Sequence, residues 1–209
     1  MTVKGTRLLY GVDAQEYTET IDQLRAIAEL MGCEEVIISS LAHQQTFVDK
    51  AGPEILKQMY TFDDKGGRGL CLIPEATAIV QEWYKAHHKE LKKPTKIFYV
   101  NRCYRYEQPQ SGRYREFTQF GVEILGDTSG QDYDDCLDIL LRCMEHFQIN
   151  YNCNKLVKRG LSYYIEDGFE VECSYLGAQK QVAGGGRYDV GIGFGIGVER
   201  LILAKNLSE

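Results

Sequence analysis

Three arginines, Arg105, Arg113 and Arg115, crowd into one polar stretch between two strand-like segments. An apolar run, Ile97 to Val100, leads in, and an alternating segment, Phe117 to Leu125, leads out. That pattern predicts two antiparallel strands joined by a long loop that projects guanidinium groups. Arginines on a loop held by a rigid hairpin suit a nucleotide triphosphate better than a packed core. Arg105, at the end of the incoming strand, is placed to hold a phosphate oxygen through charge-assisted hydrogen bonds. Glu107 shares its face if the strand continues, and is placed to accept a hydrogen bond from an adenine amino group. Phe117 offers a flat surface for a purine.

A second constellation is Gly191-Ile-Gly-Phe-Gly-Ile-Gly-Val-Glu-Arg-Leu201. Glycines at 191, 193, 195 and 197 fall on one face of a strand. They bare the backbone either to a flat ring or to another packed element. Arg200 follows on a helix and points back toward that surface. Neither G-x-G-x-x-G nor G-x-x-x-x-G-K occurs, which excludes dinucleotide-fold and P-loop readings. Gln119 and Glu123 lie four apart on the outgoing strand and share a face. Glu75, after Pro74, also reads as an ordinary acidic first-turn residue. Tyr163 and Tyr164 also read as packing residues with a satisfied hydroxyl.

The elements that position these residues follow from periodicity. Ala14 to Met31 is an amphipathic helix ended near Gly32, and Glu35 to Ser39 a short strand. Pro53 to Met59 forms a short helix. Tyr60 to Phe62 and Gly69 to Leu72 pair as a hairpin across Asp63-Asp-Lys-Gly-Gly67. Glu75 to Lys89 and Asp132 to Gln148 are helical. Tyr151 to Val157, Phe169 to Tyr175, Gln181 to Ala183 and Gly191 to Phe194 are strands, and Val198 to Lys205 is a closing helix. Strands outnumber helices, and most connections are too short for parallel crossovers. The expected class is therefore α+β, an antiparallel sheet flanked by helices, as a single domain over residues 1–209.

Composition narrows the setting. The chain of 209 residues is 44% apolar with a net charge of -6, enough for a sizeable core and opposed to a broad basic surface for nucleic acid. A local arginine cluster in an acidic chain points to a small anionic ligand. The 7 cysteines are scattered without a C-x-x-C pair, so a disulfide scaffold or structural zinc is not expected. No run reaches membrane-spanning length, and no apolar signal core opens the chain. A cytoplasmic protein with reduced, mostly buried thiols is the expectation.

The string Arg105-Tyr-Glu-Gln-Pro-Gln-Ser-Gly-Arg-Tyr-Arg-Glu-Phe117 closely resembles motif 2 of the class II aminoacyl-tRNA synthetases, and the glycine run with Arg200 resembles their motif 3. Leu156-Val-Lys-Arg-Gly-Leu-Ser-Tyr-Tyr164 and Val182-Ala-Gly-Gly-Gly-Arg-Tyr-Asp189 resemble two stretches peculiar to the histidyl enzymes. Leu72-Ile-Pro-Glu-Ala-Thr-Ala78 is similar to their amino-acid loop, and Lys4-Gly-Thr-Arg7 to their opening signature. The resemblance implies a class II synthetase-like catalytic domain that adenylates histidine or a close analogue with ATP and magnesium. Metal ligands stay unassigned.

By the same resemblance Arg105 and Arg159 are catalytic, contacting the α-phosphate from opposite sides. Arg105, Glu107, Arg113, Phe117 and Arg200 bind ATP, with Arg200 on the outer phosphates. Glu75 and Thr77 hold the substrate ammonium with help from Gln119. Glu123 accepts a hydrogen bond from the imidazole, Tyr164 lines its pocket and Tyr188 closes it. The implied acceptor is a tRNA acceptor stem, with or without a separate protein partner. The alternatives are a paralogue serving a non-tRNA acceptor and a histidine-sensing regulatory subunit like that of ATP phosphoribosyltransferase. A homodimer through the motif 1 region, Glu35 to Phe47, is also implied. Several positions depart from the family pattern. Ile73 and Ala76 replace an Arg and a Gly, Ser162 an Asp, and Tyr106 and Gln108 a His and an Arg. Motif 1 lacks its proline. The family's insertion and anticodon-binding domains are expected to be absent.

Overall fold

Thr95–Tyr104 and Glu116–Leu125, rich in apolar residues and buried on both faces over much of their length, form the two longest strands, β5 and β6. They pair antiparallel from Thr95 opposite Leu125 to Tyr104 opposite Glu116. The computed structural model describes residues 2–126, 130–158, 162–166, 168–177 and 179–208. Among them the elements run α1 (Val12–Leu30), β1 (Glu34–Glu35), β2 (Leu41–His43), α2 (Gln44–Ala51), β3 (Tyr60–Asp63), β4 (Gly69–Leu72) and α3 (Thr77–His87). After β5 and β6 come α4 (Gln131–His146), β7 (Asn152–Val157), β8 (Gly168–Glu172), β9 (Gln181–Tyr188), β10 (Gly191–Gly197) and α5 (Val198–Ser208).

The described strands form a sheet in the order β1-β5-β6-β10-β9-β8-β7 and a smaller sheet in the order β2-β4-β3. The fold is α+β, an antiparallel sheet flanked by helices, with one departure. The edge strand β1 runs parallel to β5, because the long segment between them, from β2 through α3, supplies the crossover that a parallel pair requires. One face of the sheet is sealed by α1, α4 and α5. Leu24, Ala28, Leu140, Met144, Leu201 and Ala204 pack there against Phe98, Phe120 and Phe194. The other face carries Tyr99, Leu125 and Tyr188 beneath α3. That second face holds the site.

Several boundaries differ from the periodicity reading. The strand read as Glu35–Ser39 is only Glu34–Glu35, and Val36 adds one further backbone bond to Phe98. Residues Leu41–His43 instead pair with β4, and α2 follows directly. The helix read over Pro53–Met59 is a 3-10 turn over Pro53–Gln58. The strand read over Phe169–Tyr175 ends at Glu172 and passes into a 3-10 turn. Strand β9 extends through Gly184-Gly-Gly to Tyr188, since the same glycines that weaken strand propensity let β9 and β10 lie close. Helix α4 connects to β7 through residues 147–151, leaving no inserted domain at that junction. The cysteines among the described residues are free thiols, and all but Cys153 are buried. No described helix is long and apolar enough to cross a membrane.

Candidate functional site

The loop between β5 and β6 turns at Gly112, whose φ of 69° lies in the left-handed region that glycine tolerates. It returns through a bridge between Gln110 and Arg113. The amino-terminal segment fixes this loop from outside: the Arg115 N–H donates to the Gly5 carbonyl at 2.8 Å. Arg7 pairs with Glu199 at 3.1 Å and stacks over Tyr114 at 3.9 Å. Glu199 in turn accepts the Thr118 N–H. The opening Lys4–Arg7 segment, the hairpin and α5 are thus bound into one frame.

Inside that frame lies a cavity of about 580 Å³, a volume typical of small-molecule sites. Glu75, Thr77, Arg105, Glu107, Arg113, Phe117, Gln119, Tyr164 and Arg200 all line it. Arg105 Nε donates to the Pro74 carbonyl at 2.9 Å, and its guanidinium lies 5.1 Å from the Phe117 ring centroid. Arg113 pairs with Glu107 at 2.5 Å. Arg200 is held by three contacts: Nε to the Gly112 carbonyl at 2.8 Å, Nη1 to the Gln181 carbonyl at 3.0 Å and Nη2 to Gln179 at 3.3 Å. Burial lowers the Arg200 pKa, and the nearby charges of Arg113 and Arg105 lower it further. Like charges held this close in a half-buried cavity favour an anion between them.

The other end of the cavity is carboxylate. Glu75 is buried at the start of α3, where its side chain accepts the Ala78 N–H at 3.1 Å. Tyr163 donates to it at 3.4 Å. Desolvation raises the Glu75 pKa, while the Ala78 N–H and then Arg105 oppose that rise. Arg105 therefore lies within electrostatic reach of both the acidic end and Arg200.

Glu123 and Tyr188 lie one layer below the cavity, fully buried. Glu123 Oε1 accepts from Thr77 at 2.8 Å and from Tyr99 at 3.1 Å, and Oε2 from Tyr188 at 2.6 Å. Burial pushes its carboxyl up to about 7 against the pull of those three hydroxyls. Gln119 reaches the Tyr99 hydroxyl at 3.4 Å, so the floor is one hydrogen-bonded network beneath Thr77 and Gln119.

Two readings of the residues change here. Gly193 and Gly195 do not simply bare backbone to a ligand. Gly193 sits opposite Glu123 in the ladder and Gly195 opposite Gly121, two residues from Gln119, and a Cβ on Gly193 or Gly195 would meet the Glu123 or Gln119 side chain at 1.6 or 2.2 Å. The glycines make room for the side chains of β6. Arg115 also does not project into the cavity. Its Nε bonds the Glu107 carbonyl at 3.0 Å and its guanidinium covers the Tyr106 ring, so it braces the loop. The second catalytic candidate, Arg159, lies outside the described residues.

Tyr99 was not singled out from sequence, and Tyr163 was read only as a packing residue. A signal for Tyr99 exists: it stands opposite Gly121, whose Cβ would fall 2.2 Å from the tyrosine ring. A glycine inside a strand marks such a close approach. Tyr163 gave no signal beyond adjacency to Tyr164.

Comparison with known proteins gives concordant matches. Histidine--tRNA ligase of Clostridioides difficile is 28% identical over 307 residues, covering 96% of this chain and 73% of that protein. The matched span exceeds the length of this chain, so the relative carries inserted sequence that this chain lacks. Histidine--tRNA ligase of Archaeoglobus fulgidus is 40% identical over 126 residues, 60% of this chain, and there the match spans only 31% of the relative. In three dimensions, apo histidyl-tRNA synthetase of S. aureus superposes with a TM-score of 0.83 at 24% identity, covering 99% of this chain and 70% of that one, a likeness of fold. The family model described as histidyl-tRNA synthetase matches residues 5–150, the segment that runs from the opening signature through both long strands to the end of α4, and the chain belongs to the histidyl-tRNA synthetase family.

Proposed function

We propose that this chain adenylates histidine or a close analogue, joining the amino-acid carboxylate to the α-phosphate of ATP with release of pyrophosphate. One observation carries the reading. Arg105 stands between an arginine-rich end, with Arg113 and Arg200, and an acidic end formed by Glu75. An ATP laid along the cavity places its outer phosphates by Arg113 and Arg200, and its purine against Phe117. An amino acid at the acidic end places its ammonium by Glu75 and Thr77 and its carboxylate beside Arg105. The reacting groups then meet at one guanidinium, and catalysis rests on positioning and charge neutralisation. Gln119 orients the amino group, and the Glu123–Tyr188–Tyr99 floor reads the side chain with Tyr164 at its wall. Arg159 is assigned opposite Arg105 by the family resemblance alone.

The donor set suits magnesium as a phosphate-borne ion, which takes one or two carboxylates plus phosphate oxygens and water. Glu170 and Glu199 line the cavity, and no cluster of three or more His, Cys, Asp or Glu occurs among the described residues. The homodimer contact is assigned to the motif 1 region, where Ile37 is 97% exposed beside Val36, Ile38 and Trp83.

Amino-acid-dependent exchange of pyrophosphate into ATP tests the reading. Exchange is expected with histidine. No exchange with any amino acid, alongside simple histidine binding, would overturn the enzyme reading in favour of a sensor. Exchange without charging of histidine tRNA would assign the activated amino acid to another acceptor.

A further inference from the structure

Behind the amino-acid end of the cavity, two lysines flank a buried amide N–H that has no acceptor. Gln81 lies one helical turn beyond Thr77 on α3 and is 0% exposed. Among the described residues its Nε2 is the buried side-chain polar atom that lacks a hydrogen-bond partner. Leaving an amide N–H buried and unpaired costs about 1–3 kcal/mol, so such a group calls for an explanation. Exchanging the amide O and N does not supply one. Gln81 Oε1 already accepts from Lys50 Nζ at 3.0 Å, and the exchange would set an NH₂ against an ammonium.

Two cations flank this amide. Lys50 sits at the end of α2. Lys85 is four residues beyond Gln81 on α3, on the same helix face. Lys85 pairs with Asp189 at 2.5 Å across an exposed contact, the one carboxylate bonded to either lysine. Glu82, on the neighbouring helix position, turns instead to Thr46 at 3.1 Å. Burial lowers the Lys50 pKa and the Lys85 charge lowers it further, while the Asp189 and Glu82 carboxylates oppose that fall. With Gln81 Oε1 taken by Lys50 and Asp189 by Lys85, the donors that face the amide are Lys50 Nζ, Lys85 Nζ and the Gln81 N–H itself.

We infer that Gln81, Lys50 and Lys85 form an oxyanion-binding site between α2 and α3, separate from the arginine cavity, for a carboxylate or phosphate group. One oxygen of the anion takes the orphaned Gln81 N–H, and the others bridge the two ammoniums. The site is mechanically tied to the cavity. Ala51, next to Lys50, lines the cavity, and the Lys50 carbonyl accepts the Ser162 hydroxyl at 2.7 Å. Ser162 stands directly before Tyr163, which holds Glu75. Occupancy thus braces the segment that carries the tyrosine wall of the amino-acid pocket.

Side-chain amide NMR of the full chain tests this, with the Gln81 resonance assigned by its loss in Gln81→Leu. Inorganic phosphate and, separately, acetate are titrated. The Gln81 amide should shift saturably with at least one of them, and the preferred anion identifies the source. Lys50→Met and Lys85→Met should each weaken that binding roughly tenfold or more, the value of one charge-assisted bond. Backbone amides of Gly112 and Gly197 report the arginine cavity in the same spectra. They should titrate alike in wild type and both lysine variants, which also verifies the fold. A Gln81 amide unmoved by either anion would overturn the inference. So would shifts of equal affinity in the lysine variants, or Gln81 shifts that merely track Gly112 and Gly197.

Discussion

Glu123 offers the sharpest test of the site's electrostatics, because two opposing effects act on one carboxyl. Full burial favours its neutral form, while Thr77, Tyr99 and Tyr188 donate hydrogen bonds that favour its charged form. Burial wins in the structure, lifting the carboxyl from 4.5 to about 7. A folded-state pKa above the unfolded one means that the folded protein holds the proton more tightly. Unfolding therefore releases a proton between those two values, and stability falls as pH rises through that window. The shift corresponds to about 3 kcal/mol, present below the unfolded pKa and lost once pH passes about 7. Glu123→Gln stays neutral at every pH and cannot show this loss. Urea unfolding of wild type and variant is measured at intervals from below the unfolded pKa to above 7. Taking the difference cancels the titration of other groups. The variant should gain about 3 kcal/mol on wild type across the series, whatever its offset at low pH. A constant difference would refute the reasoning, since it would mean that the carboxyl titrates alike folded and unfolded, and a wild type that gains on the variant as pH rises would mean that the three hydroxyls hold Glu123 ionised.

Gly193→Ala drives a Cβ to 1.6 Å from the Glu123 carboxylate and 2.7 Å from the Val122 carbonyl, so it should cost more than about 3 kcal/mol in urea unfolding. Combining it with Glu123→Ala should cost less than the sum of the two single changes. Arg187→Ala strands Asp132, which is buried and held bidentately at 2.7 and 2.8 Å, and should destabilise by about 3–5 kcal/mol by the same measurement. Arg200→Lys keeps the charge but loses the planar fork that spans Gly112, Gln179 and Gln181. Histidine-dependent pyrophosphate exchange should fall roughly a hundredfold or more, with near-wild-type thermal stability excluding unfolding as the cause.

Much of this fold was legible because its long elements are strongly periodic. The α1 and α4 helices and the β5–β6 hairpin appear in the structure within a few residues of the sequence reading. The short elements were not legible, for a physical reason. Glu34–Glu35 is exposed on both residues, and its strand character comes wholly from backbone pairing with Ile97 and Phe98. Strand β9 was read only as Gln181–Ala183, and its continuation hid behind Gly184-Gly-Gly, where packing against β10 overrides a composition that argues against a strand. In the site, residues with a long polar reach were recognisable, and Arg105, Arg113 and Arg200 do share one cavity. Arg115 belongs to the same string yet braces the loop, because its direction depends on the Glu107 carbonyl and the Tyr106 ring. No spacing rule encodes such partners.

The pairing of β6 with β10 gives the glycine run its meaning. Each of Glu123 and Gln119 faces a glycine across the ladder, so two polar side chains lie flat against β10 where any Cβ would expel them. At the same time Gly195 and Gly197 line the cavity, and Arg200 follows within one turn of α5. One strand therefore sets the depth of the amino-acid floor and, through its continuation, the position of the Arg200 guanidinium. A change that shifts β10 along β6 moves both at once. The residues that hold the nucleotide and those that hold the amino acid are thus kept in register by backbone hydrogen bonds, with Arg105 on the neighbouring strand's extension standing between them. This construction explains how a chain with no inserted domain between α4 and β7 keeps the site assembled.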